Sequence, residues 1–63
     1  MLKFCKTILK KVSFDKTLFR KELRKSVNIL NKKEILALKI WCLSYYGIYK
    51  DLIIEEFEMI STN

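Results

Sequence analysis

The chain has 63 residues, thirteen Lys and Arg against seven Asp and Glu, no histidine, no proline, one glycine and two cysteines, with a net charge of +6. That length allows one small domain, which buries only about 60 % of the surface its unfolded chain exposes and so leans on a further stabiliser. Two cysteines without histidine cannot supply the four ligands of a structural zinc site, and Cys5 and Cys42 are expected as reduced, buried thiols rather than a secreted disulfide framework.

Leu2 to about Val12 predicts the first helix. Leu2, Phe4, Cys5, Ile8, Leu9 and Val12 share one face, and Lys3, Lys6, Thr7, Lys10 and Lys11 fill the other. Lysines interrupt the apolar run too often for a secretory signal. Such a clean split also describes a helix lying on a membrane surface, although packing on a core explains it equally well. "SFDK" then breaks the helix, with Ser13 or Asp15 as the next N-cap.

The second helix is expected from about Asp15 to Leu30. Leu18, Phe19, Leu23, Val27 and Leu30 face inward, with Glu22 and Ser26 diluting the buried side. Arg20, Lys21, Arg24 and Lys25 form a basic ridge opposite. Arg20/Arg24 and Lys21/Lys25 are neighbours one turn apart, and such like-charged pairs repel by a few tenths of a kcal/mol each. An anionic partner reverses the sign of that cost, and arginine adds a fork that matches phosphate oxygens. The bland reading is a solvated face in a lysine-rich chain.

Asn31 stands three residues before Glu34, an asparagine version of the capping box, and opens the third helix, "KEILALKIWCLSYY". Gly47 suits the left-handed residue just beyond a helix end, or else kinks a continuous helix. In this region Trp41, Tyr45, Ile48 and Leu52 make one stripe and Leu38, Cys42, Tyr46, Tyr49 and Ile53 another. Leu36, Ile40, Leu43 and Ile54 occupy further angles, leaving Ala37, Ser44, Asp51 and Glu55 as the strip suited to water. A helix apolar nearly all round must be surrounded, so Trp41, Tyr45, Ile48, Tyr49 and Leu52 are the expected protein-interface residues. A last helix, about Lys50 to Ile60, carries Leu52, Ile53, Phe57 and Ile60 inward.

The whole reads as an all-α bundle of three to four helices in a single domain, residues 1–63. Its charge is polarised: residues 1–33 hold eleven Lys/Arg and two acids, a net +9, whereas residues 34–63 hold two Lys and five acids, −3. The candidate anion-binding residues are Lys3, Lys6, Lys10, Lys11, Arg20, Lys21, Arg24 and Lys25. Helix three, the glycine turn and helix four trace the outline of a helix-turn-helix. Asp51, Glu55 and Glu58 along its second member would repel phosphates and argue against that docking. Without histidine, a glycine-bearing ion loop or a nucleophile beside a base, no catalytic role and no cofactor or metal is expected. The leading expectation is a non-catalytic cytoplasmic subunit of a nucleoprotein assembly, ribosome-associated or otherwise RNA-binding. RNA or another polyanion would meet the basic half, and a protein or a second copy the aromatic helix. The alternative is a protein–protein adaptor or a peripheral subunit of a membrane-associated complex.

Overall fold

Four helices and one tight turn account for nearly the whole chain: α1 Leu2–Lys11, α2 Lys16–Ile29, α3 Lys32–Tyr45, a 3-10 turn Gly47–Tyr49, and α4 Lys50–Ser61. The computed structural model describes residues 1–61, with side chains through Met59. Ile60, expected to point inward, therefore lies outside the described side chains. Among the described residues there is no strand, and the architecture is a small all-α bundle.

Local chemistry explains where each helix begins. Asp15 stays extended and its Oδ1 accepts from the N–H groups of Thr17 at 3.0 Å and Leu18 at 3.1 Å, satisfying two donors that a helix start leaves without partners. Ser13 instead closes α1, its hydroxyl donating to the Lys10 carbonyl. At α3 the capping box closes in both directions: the Asn31 side chain accepts from Glu34 N–H, and the Glu34 carboxylate accepts from Asn31 N–H. α1 ends with Lys10 and Lys11 in its last turn, where cations oppose the negative end of the helix dipole.

One core joins all four helices. α1 contributes Cys5 and Leu9, α2 contributes Phe19, Leu23, Val27 and Leu30, α3 contributes Leu38 and Cys42, and α4 contributes Leu52, Ile53 and Phe57. Three expected core positions, Phe4, Ile8 and Leu18, lie outside it. Phe4 is exposed and lines an open groove of about 430 Å³ between α1 and α2, together with Ile8, Ile29, Glu22 and Lys25. Leu18 is also exposed, while Ser26 is buried in its stead. The polar Ser26 is tolerated because its hydroxyl donates to the Glu22 carbonyl one turn back, at 2.9 Å.

The chain breaks between α3 and α4 beside Gly47, as expected, but not through a left-handed glycine. No glycine has a positive φ. The helix breaks at Tyr46, whose backbone leaves the helical region at φ −126° and ψ 48°, and Gly47 only begins the 3-10 turn. Aromatic packing turns the chain: Tyr46 and Tyr49 lie against buried Phe19 with ring centroids 5.1 and 5.0 Å away. The Tyr49 hydroxyl donates to the Ser13 carbonyl at 2.6 Å, tying the corner to the α1–α2 connection. A side chain at Gly47 would meet nothing within 4 Å.

Two measurements check this account of the corner. Gly47→Ala should raise stability by about 0.4–1 kcal/mol in denaturant melts, because it restricts the unfolded chain without strain in the folded one. Tyr49→Phe should lower it by about 0.5–1.5 kcal/mol through loss of the hydroxyl contact.

Candidate functional site

The basic ridge of α2 meets an acid pair on α4. Glu56 is buried, at 2 % exposure, although it is a carboxylate. Arg24 holds it bidentately, Nε on Oε1 at 2.9 Å and Nη2 on Oε2 at 3.0 Å, and Arg20 Nε reaches Oε2 at 3.1 Å. Arg20 also pairs with Glu55 through Nη2. Both arginines stand one turn apart on α2, so a single carboxylate between them removes the like-charge repulsion the sequence implied. The hydrogen bond from Arg24 leads in holding the Glu56 carboxyl below its ordinary range, with Arg20 assisting against the opposing effect of burial. The same contact holds the Arg24 guanidinium more firmly protonated.

This pairing divides the eight candidate anion-binding residues. Arg20 and Arg24 are committed to α4 and half-covered by it. Lys25 pairs loosely with Glu22, at 3.4 Å and three residues away on the same helix. Lys6 is half-buried, its Nζ 5.7 Å from the centre of the Trp41 ring. Lys3, Lys10, Lys11 and Lys21 are exposed and, among the described residues, meet no carboxylate. Of these eight, the cations left for a partner are thus lysines, spread over α1 and the outer side of α2.

The expected aromatic interface is also redistributed. Leu52 is a core residue at 3 % exposure, because α4 turns it toward the other helices beside Ile53. Tyr49 is half-buried and engaged with Phe19 and the Ser13 carbonyl. Trp41 is half-buried between Tyr45 and Tyr46, at centroid distances of 5.7 and 5.4 Å, so its face is not open for stacking. Tyr45 and Ile48 do stand outside, at 72 % and 86 % exposure. The third helix also exposes Leu36 and Ile40 to 59 % each, which were not among the expected interface residues. Their angles, opposite Leu38 and Cys42, already implied it.

Among the described residues, no three Asp, Glu or Cys gather where they could hold a metal ion. Both thiols are free and buried, and burial pushes the Cys42 thiol up to about 12, far from a reactive thiolate. None of the described helices is long and apolar enough to cross a membrane. No family model, curated protein or solved structure matches the chain.

The clamp has a signed pH dependence. Because the folded pKa of Glu56 lies below its unfolded value of about 4.3, the ionised carboxylate stabilises the fold above that pH, and this contribution is lost as pH falls through the folded pKa. Replacing both arginines by methionine strands a buried carboxylate, whereas Glu56→Leu returns half-exposed Arg24 to water and leaves Arg20 with Glu55. Urea melts should therefore show the double arginine variant as the less stable of the two at pH 7. Its deficit against the wild type should shrink on acidification, since burial alone favours the protonated acid.

Proposed function

We propose that the protein is a non-catalytic docking subunit that binds a phosphate-bearing anionic surface through lysines. The observation that carries this reading is the division of cations just described. Both arginines of the ridge, the residues best shaped to fork onto phosphate, are spent on Glu55 and Glu56. Lys3, Lys10, Lys11 and Lys21 remain in water on a chain of net charge +6. Lysine acts as a hydrated point charge, so the attraction it exerts is diffuse, long-ranged and tolerant of the exact position of each phosphate. A nucleic acid or an anionic leaflet meets that requirement.

The non-catalytic part of this reading is supported by two buried thiols and, among the described residues, no grouped metal-ligating side chains. The exposed aliphatic residues of α3 supply a second contact that charge alone does not explain.

Heparin chromatography tests the electrostatic part without choosing between sources of phosphate. The wild-type chain should be retained at low salt and released as salt rises. Lys10→Gln with Lys11→Gln should elute at clearly lower salt with an unchanged circular dichroism melt. A chain that passes through at 50 mM salt is not a polyanion binder.

A further inference from the structure

The solvent faces of the first three helices differ in kind. α1 turns Lys3, Thr7, Lys10 and Lys11 to water, with Phe4 exposed at the α1–α2 groove, and α2 turns Lys16, Thr17, Lys21, Arg24, Lys25 and Asn28, with Leu18 and Ile29 exposed among them. Opposite its buried line of Leu38 and Cys42, α3 instead turns out Lys33, Leu36, Ala37, Ile40 and Ser44, within an arc of about 100°. After Lys33 that arc carries no charge for the rest of the helix. At its end the chain presents Tyr45 and then Ile48, the most exposed of the large hydrophobic side chains described, at 86 %. An inner face packed on the core explains Leu38 and Cys42. It does not explain Leu36, Ile40 or Ile48.

Lysines border this apolar ridge on both sides. By helical angle Lys32 and Lys39 lie along one edge. On the other, Lys6 reaches over from α1 to the Trp41 ring. Lys33 caps the near end and Lys50 follows the corner. Between Lys32 and Lys50 the sequence holds one acid, Glu34, and its carboxylate accepts the Asn31 N–H in the capping box.

This charge pattern selects the occupant. A second copy laid antiparallel on the ridge would bring Lys32 and Lys39 of one chain against Lys39 and Lys32 of the other, with no acid between them. A protein groove is a poor match because lysine is depleted from protein interfaces, where arginine is preferred. A nucleic acid finds nothing to pair with in Leu36, Ile40 and Ile48. An anionic bilayer satisfies both halves at once: aliphatic side chains enter the boundary of the acyl region, and lysine stems bend outward to keep their ammonium groups among the headgroups. Each lysine near such a leaflet is worth about fivefold in partitioning.

We propose that the outer face of α3, continued by Ile48, is a docking surface for an anionic phospholipid bilayer, with the helix lying in the headgroup plane. This rests on the reading of the protein as a binder of anionic surfaces and names which surface it takes.

Co-sedimentation with vesicles tests it. The chain should pellet with vesicles of phosphatidylglycerol and phosphatidylcholine and stay in solution with phosphatidylcholine alone. Fluorescence of Trp41, the one tryptophan of the sequence, should be quenched by bromine on the acyl chains of the bound vesicles. Ile40→Ser with Ile48→Ser alters two exposed side chains, so the circular dichroism melt and heparin retention should persist while vesicle affinity drops at least about tenfold. Unchanged vesicle binding by that variant overturns the proposal, since contact would then be electrostatic alone. Heparin retention without vesicle binding overturns it and leaves the anionic-surface reading standing. Failure of both removes the two together. A concentration-dependent dimer in sedimentation velocity, lost in the variant and accompanied by no vesicle binding, assigns the ridge to a second copy instead.

Discussion

A buried carboxylate between two arginines governs how this small bundle is put together and what it offers to the outside. Moving an ionised acid out of water costs several kcal/mol unless good geometry and hydrogen bonds offset it. Glu56 has three such bonds, all from α2. α4 therefore cannot rotate or slide along α2 without stranding a charge, and a pair of helices held otherwise by Leu, Ile and Phe contacts acquires a defined register. The same bonds decide which cations are left over. Had α4 carried leucine at that position, Arg24 would stand open beside Lys21 and Lys25, and Arg20 would keep only Glu55.

A second constraint acts at the corner between α3 and α4. Phe19 is fully buried under Tyr46 and Tyr49, and the Tyr49 hydroxyl fixes the turn to the Ser13 carbonyl. Tilted ring pairs at these separations contribute modestly beyond their buried area, yet they are directional, and direction is what a corner requires. α3 is held by this corner and by its capping box at the opposite end. It presents one face to the core and one outward, and both are apolar. Surplus oily surface on a chain of this size is a liability unless something covers it, and lysines run along its borders.

Much of this could be read without coordinates. Asn31 with Glu34, and Asp15 at the head of α2, mark helix starts by local hydrogen-bonding logic that involves residues three apart. Cys5, Leu9, Phe19, Leu23, Leu38, Cys42, Ile53 and Phe57 fall on faces that helical periodicity identifies. Gly47 was misleading because its usual role is conformational, whereas here the turn is made by what Tyr46 and Tyr49 touch. Glu56 lies in angle between Leu52 and Ile53, so periodicity places it inside. A pattern can register such an acid only as a flaw, however, because its partners are 32 and 36 residues away. Leu52 was expected inward on a separate last helix and also, through the stripe it shares with Trp41 along an unbroken helix, at the interface; the corner breaks that helix, and Leu52 is inside.

By itself, then, the sequence determined the helices, their caps, the two-sided apolar character of α3 and the uneven distribution of charge, since each depends on neighbours within one or two turns. Tertiary structure alone decided that Arg20 and Arg24 are consumed by Glu55 and Glu56, which of the two placements of Leu52 holds, and which apolar face of α3 meets the core. Those outcomes turn on which helix lies against which, and contacts between residues far apart along the chain leave no periodic trace in it.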